Sequence, residues 1–234
     1  MKNIHRIQLN ILRTLLFAES KRYSEIKPTN MESSQFKYHL DALITAKLIT
    51  KDANGHYLLT PKGKEFANQM DSINIQMKKQ TKVTAKICCI RDSGLEPEYL
   101  LYERLKNPFF GHQGFPTSKI WYGMSFVEGA QKGLYNETNL IGEPELIAIR
   151  HYRVYDEISN TLLEDKTMYI FKIINPTGEL QSRKDGRFKW VKETKVNHFV
   201  KKSLPEFREV FSVLNNNNTD FFKEVVHKID INKF

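Results

Sequence analysis

The spacing of apolar positions along this chain changes character near residue 80. Before it, Ile4, Ile7, Ile11, Leu12, Leu15 and Leu16 recur at steps of three and four, which predicts an amphipathic first helix. A short segment from Tyr23 to Ile26 stops at Lys27-Pro28. Phe36, Leu40, Leu43, Ile44 and Leu48 then stripe one face of a helix over about residues 32–47. The stretch LITKDANGHYLLTPKGKEF reads as strand, turn at Asn54-Gly55, strand, and a helix launched at Thr60-Pro61. Residues 70–81 read as a helix tail or linker.

After the linker the strand period takes over, in KVTAKICCI and EYLLYERL. A loop rich in Gly and Pro follows, NPFFGHQGFPTSKI, then a helix over about 126–137. The strands ELIAIRHYRVYDEI, KTMYIFKII and FKWVKETKV come next, with a closing helix from about 203, for which Ser203 is the expected N-cap. The tail reads as a flexible asparagine run, NNNNT, and a terminal helix striped by Phe221, Phe222, Val225, Val226 and Ile229. That helix packs on this chain or forms a homodimer contact with a second subunit.

The order of elements predicts an α+β protein: a small helical domain with a hairpin, then a mixed sheet with helices on its faces and further C-terminal helices. A length of 234 residues with 40% hydrophobic and 12% aromatic positions is enough for a real core in each part. Cys88 and Cys89 are adjacent on a strand and point to opposite faces, so reduced thiols are expected rather than a disulfide. Neither they nor the seven scattered histidines have metal-ligand spacing. ILRTLLFA is short and contains Arg13, so neither a signal peptide nor a membrane span is expected, and the location inferred is cytoplasmic. Net charge is +9, and residues 1–80 carry 13 Lys/Arg against 7 Asp/Glu. Basic excess concentrated in one small domain suits a partner such as double-stranded DNA.

Within that basic part, the run Phe36-x-Tyr38-His39-Leu40-x-x-Leu43, then Leu48-Ile49, then Tyr57-x-Leu59-Thr60-x-x-Gly63 resembles the ArsR-type and related winged helix-turn-helix transcription regulators. The resemblance implies a DNA-binding domain over 1–70. The helix bearing Tyr38 would enter the major groove and the hairpin would lie along the adjacent backbone or minor groove. Ser33, Ser34, Gln35, Lys37 and Tyr38 cluster at that helix's opening turns, where free N–H groups and the dipole favour phosphate. Gln35 can read adenine, while Lys37 and the wing residues Lys51 and His56 can take phosphate or guanine. His39 is read either as a groove residue or as one buried against the first helix.

Residues 82–214 resemble the Nudix hydrolases, an α/β/α sandwich. The likeness rests on Leu100-Leu101-x-x-Arg104, Pro108-x-x-Gly111, Gly114-Phe115-Pro116, Lys119-Ile120, Gly123-x-Ser125, Ala130-x-Lys132-x-Leu134, Glu137-Thr138-x-Leu140 and Trp190-Val191. The family box is G-x5-E-x7-R-E-U-x-E-E-x-G-U, with U aliphatic. On this chain its first glycine becomes Ser118 and its first glutamate Met124. The R-E pair becomes Lys132-Gly133, the E-E pair Asn136-Glu137, and the last glycine Asn139. Nudix enzymes gather glutamates on one helix face to hold magnesium against a pyrophosphate. With Glu137 alone retained, the expectation is no catalytic residue, no metal site and no cofactor.

Loss of carboxylates leaves Arg104, Lys119, Lys132 and, more remotely, Arg150 to meet a phosphorylated ligand directly, with Tyr122 or Phe110 stacking on a base and Glu137 beside them. The expected protein is therefore a regulator with a winged-helix domain (1–70), a linker (71–81), a Nudix-like sensor (82–214) for a nucleotide or sugar-phosphate effector, and a C-terminal linker and helix (215–234). Nudix-related regulators carry their DNA-binding part after the Nudix domain, and here the order is reversed. Two alternatives are a divergent phosphohydrolase with metal ligands from elsewhere and a protein-interaction scaffold without a small ligand.

Overall fold

The computed structural model describes residues 4–92, 94–216 and 220–234. They form two compact units, Met1–Gln80 and Thr81–Phe234.

The first unit runs α1 (Arg6–Leu16), α2 (Tyr23–Ile26), α3 (Ser33–Thr45), β1 (Ile49–Lys51), β2 (Tyr57–Leu59), α4 (Pro61–Asn68), and a small hairpin of β3 (Met70–Asp71) and β4 (Gln76–Met77). Its core joins Leu12 and Leu15 of α1 to Phe36, Leu40 and Leu43 of α3 and to Leu48 and Leu59. Ile44, read as part of the α3 stripe, stands 38% exposed. The β1–β2 hairpin gains a third chain, because Lys21 and Tyr57 exchange backbone hydrogen bonds of 2.9 and 2.7 Å. Thr60 caps α4: its hydroxyl accepts from Gly63 N–H at 2.9 Å and donates to the Lys47 carbonyl at 2.7 Å, with Pro61 at the first helical position. His39 is buried and stacks on His5, the N-cap of α1, with ring centroids 4.4 Å apart. Residues 70–77 form the hairpin, not a helix tail.

The second unit contains β5 (Lys82–Arg91), β6 (Glu98–Arg104), β7 (Gln113–Gly114), β8 (Thr117–Lys119), α5 (Phe126–Thr138), β9 (Glu145–Asp156), β10 (Leu162–Ile174), β11 (Gly186–Lys192), α6 (Val196–Phe199), α7 (Phe207–Asn215) and β12 (Phe222–Ile229). Among the described residues eight of these strands make one mixed sheet, ordered β11-β6-β5-β10-β9-β12, with β7 on β6 and β8 on β5. β5 lies parallel to β10 and β12 parallel to β9; the other pairs are antiparallel. Successive residues of β5 serve opposite faces. Ile87 meets α5 at Gly133, whereas Lys86 meets the Phe115 carbonyl on the face where Phe115 stacks on Phe207 of α7. Cys88 and Cys89 are both buried and unpaired, and burial raises both thiols.

The tail departs from expectation. The segment read as a helix striped by Phe221, Phe222, Val225, Val226 and Ile229 is the strand β12, running beside β9 without a break in register. Its paired valines and aromatics suit a pleated surface, and pairing with β9 satisfies its backbone. Only alternate residues turn inward: His227 stacks on Tyr152 and Ile229 reaches the core, while Phe222 and Val226 stay exposed. The flexible reading of the asparagine run falls partly on residues 217–219, which lie outside the described residues. Ser203 makes a single β-bridge with Gln113 and is followed by a turn, not by the helix itself, since α7 begins at Phe207.

On the other face β12 is held by charge. His151 Nε2 lies 2.9 Å from Asp165 of β10 and Nδ1 3.3 Å from Glu224 of β12, whose other oxygen accepts from Arg153 at 3.0 Å. The hydrogen bond to Asp165, opposed by partial burial and assisted by Glu224, raises the His151 pKa. A raised histidine stabilises the fold most below its ordinary value of about 6.5, and that contribution is lost as pH rises through the folded value. Amide exchange in β12, corrected for intrinsic rate, should therefore show less protection at pH 8 than at pH 6. In His151→Gln this difference should vanish.

Candidate functional site

β5 keeps β6 as a neighbour only at Ile90↔Tyr99 and Arg91↔Glu98; further back it pairs with β8, from Thr84↔Lys119 to Lys86↔Thr117. Where β5 and β6 part, a cleft of about 550 Å³ opens. Lys82 and Thr84 of β5, Tyr102 and Arg104 of β6, and Glu164 and Lys166 of β10 line it. The lining also takes Lys106 and Phe109 from the loop after β6, Lys119 and Trp121 around β8, and Asn136 and Glu137 from α5.

The cleft rests on a buried ion cluster. Glu206 accepts from Lys86 Nζ at 2.7 Å and lies 3.7 Å from Lys166 Nζ, which in turn meets Glu164 at 2.9 Å. Lys86 also donates to the Phe115 carbonyl at 3.1 Å. Burial alone would push Glu206 up, but Lys166 and Lys86 hold its carboxyl well below the usual carboxylate range. Glu206 and Glu164 are thus committed to lysines.

Arg104 is aimed by its own loop. Nε donates to the Pro108 carbonyl at 2.5 Å and Nη2 to the Asn107 carbonyl at 3.4 Å, with the Tyr102 hydroxyl 3.5 Å from Nη1. Lys119 sits over the Trp121 ring, 5.2 Å from its centroid. Neither cation has a carboxylate within 4.0 Å among the described residues. Glu137 is half-buried, and burial raises its pKa, partly offset by Lys106 and Arg104.

Of the ligand residues read from sequence, Arg104, Lys119 and Glu137 come together in the cleft. Three do not. Arg150 is 1% exposed, pairs with Glu209 at 3.0 Å and donates to the carbonyls of Ile149 and Asp220 at 2.9 and 3.0 Å, bracing the approach to β12. Its place inside an apolar strand buries it on the α7 face, away from the cleft. Lys132 is exposed on α5, and Tyr122 is 93% exposed; neither lines the cleft. Trp121 and Phe109 are there instead of their neighbours Tyr122 and Phe110. Lys86, Glu164, Lys166 and Glu206 were missed. A trace was present: lysine inside KVTAKICCI, and an acid and a base two apart in LLEDKTMYI, are charges in otherwise apolar strands.

The box helix explains its own substitutions. Ser125 caps α5 reciprocally with Glu128, whose carboxylate accepts from Ser125 N–H at 2.8 Å, so Glu128 is a cap and not a cleft acid. Asn139 ends the helix at φ +62°, a left-handed position that asparagine tolerates in place of glycine. At Gly133 a Cβ would lie 2.4 Å from Ser118 Cβ and 2.7 Å from its hydroxyl. The serine at the first box position thus occupies the space a glutamate at 133 would need. Nudix chemistry implies magnesium, and these residues do not fit it. Met124, Gly133 and Asn136 offer no carboxylate, and no group of three His, Cys, Asp or Glu among the described residues is disposed to hold a metal.

A mixed sheet with this helix and cleft is the Nudix fold, and the second unit has it. Similar solved structures include the Nudix domain of NrtR from Shewanella oneidensis complexed with ADP ribose: 14% identity, TM-score 0.52, covering 68% of this chain and all of that one. The MutT protein from Bacillus halodurans is 17% identical, with TM-score 0.50, covering 65% of this chain and 93% of that one. No family model and no curated protein matches the chain.

In the first unit, Ser33, Ser34, Gln35, Lys37 and Tyr38 are exposed at the start of α3, Tyr38 by 70%, and Lys51 is exposed on β1. His56 is less free: its Nε2 accepts from Arg22 Nε at 3.3 Å and its Nδ1 lies 3.7 Å from Asp52. Arg22, which no motif marked, is an exposed cation beside the hairpin. No helix among the described residues is long and apolar enough to cross a membrane.

Proposed function

We propose that this chain is a DNA-binding regulator whose Nudix-fold unit binds a phosphorylated, nucleotide-type ligand without a metal and without hydrolysing it. The observation that carries the sensor half is the filled glutamate position: Ser118 closes the space at Gly133, while Arg104 and Lys119 stand in the cleft with no carboxylate within 4.0 Å among the described residues. Guanidinium and ammonium groups can then take an anion directly. The ADP ribose in the Shewanella oneidensis structure supports a ligand of this class.

The DNA half is supported by the order α1, α2, α3, hairpin, α4, by the third chain that Lys21 adds to the hairpin, and by the polar, basic opening of α3. This is a winged helix-turn-helix layout, with α3 as the recognition helix and the β1–β2 hairpin as the wing. DNA affinity should fall steeply with salt, and Lys37→Ala or Lys51→Ala should flatten that slope. Gln35→Ala should shift sequence preference instead. A random-sequence duplex selection that recovers nothing would remove the DNA half.

For the sensor half, a nucleotide or sugar phosphate at a hundredfold excess over its Kd should add about 2.7 kcal/mol of apparent stability. The shift should be equal in magnesium and in EDTA, and should be lost in Arg104→Ala. The same compound should alter DNA affinity, since coupling requires unequal binding to two states. Shifts that require magnesium would favour a divergent hydrolase, a reading to which the half-buried, raised carboxyl of Glu137 lends a candidate acid.

A further inference from the structure

The large sheet ends in two edges, and they differ chemically. β11 carries Arg187, Lys189 and Lys192, cations only, which repel a second copy laid antiparallel on it. β12 carries both signs, in Lys223, Glu224 and Lys228, with Phe222 and Val226 more than half exposed and no proline or bulge. An edge of this second kind is a template for another strand.

Its free backbone groups select how that strand can lie. The Phe221 carbonyl accepts from Ile149 N–H at 2.7 Å and the Ile229 carbonyl from Glu157 N–H at 2.8 Å. Residues bonded to one neighbour recur at every second position of a strand. The odd-numbered residues of β12 therefore face β9, and residues 222, 224, 226 and 228 direct their N–H and C=O groups outward. An antiparallel copy must then pair even positions with even positions.

Charge chooses among those registers. Centred on Glu224, the pairing sets two glutamates together. Centred on Val225, it leaves Glu224 opposite Val226; centred on His227, it sets Glu224 opposite Asp230. Centred on Val226, it sets each Glu224 opposite Lys228 of the other copy and Val226 against itself. Glu224, Val226 and Lys228 are all exposed and share one face. We propose that β12 pairs antiparallel with β12 of a second copy in this register, joining two Nudix-fold units through one continuous sheet. The pairing is independent of whether the first unit binds DNA.

Sedimentation equilibrium of the full chain should show a dimer at micromolar concentrations. Lys228→Glu should weaken it roughly tenfold or more, a loss of about 1.4 kcal/mol or greater, with an unchanged melting profile for the dissociated chain. Glu224→Lys combined with Lys228→Glu should restore it in part, since the new lysine also gives up the Glu224 contacts to His151 and Arg153. Val226→Cys should oxidise to a covalent dimer, with no competition from the buried native thiols, whereas Glu224→Cys should not. A chain that stays monomeric, a dimer indifferent to both charge reversals, or cross-linking through Glu224→Cys in preference to Val226→Cys would each overturn the proposal.

Discussion

Replacing Glu206 by alanine should cost the second unit about 3–5 kcal/mol, the usual penalty for removing one partner of a buried ion pair. Lys86, 1% exposed, would keep only the Phe115 carbonyl, and Lys166 would keep only Glu164. The pair itself need not be strongly stabilising, since an apolar replacement of both partners is often neutral. Glu206→Ala with Lys86→Met should therefore recover a large part of the loss. Urea denaturation followed by tryptophan fluorescence reports this unit alone, because both tryptophans, Trp121 and Trp190, lie in it. The Glu206 carboxyl is held below its ordinary range, so its contribution is complete above the ordinary carboxylate value and fades as pH falls through the depressed one. Equal stabilities for wild type and Glu206→Ala would show that the cluster is not closed to water.

The second large effect concerns Gly133. In a helix interior, glycine to alanine ordinarily stabilises by roughly 0.5–1 kcal/mol. Here the sign should reverse, to a loss of about 1–3 kcal/mol, because the new methyl would meet Ser118 Cβ at 2.4 Å. Ser118→Gly should relieve it, giving a coupling of about 1–2 kcal/mol in a double-mutant cycle. Gly133→Glu in the Ser118→Gly background should fold yet show no magnesium-dependent hydrolysis, since Met124 and Asn136 still supply no carboxylate. Turnover in that variant would show that a single added glutamate completes a metal site.

Much of this architecture was legible in the residues. The helical stripes gave α1 and α3 within a few residues, the segment over about 126–137 was placed as a helix that became α5, and the apolar strand runs KVTAKICCI and ELIAIRHYRVYDEI gave β5 and β9. The tail was not legible, because FFKEVVHKI fits a helical stripe as well as a strand and only β9 decides between them. The cleft was half legible. Arg104, Lys119 and Glu137 follow from motif position, but Glu206 and Lys166 are 40 residues apart in sequence and meet only after the sheet has formed. Arg150 was misplaced for the same reason: strand periodicity says that it alternates with its neighbours, not which face the next helix will cover.

Cys88 and Cys89 give the molecule a built-in clock. Both thiols are buried in the centre of β5, and burial disfavours their thiolates. The first unit contains no cysteine. An alkylating reagent can therefore react only when the central sheet opens, and its rate reads the lifetime of the Nudix-fold unit whatever the first unit is doing. A cleft ligand should slow that reaction in proportion to its occupancy.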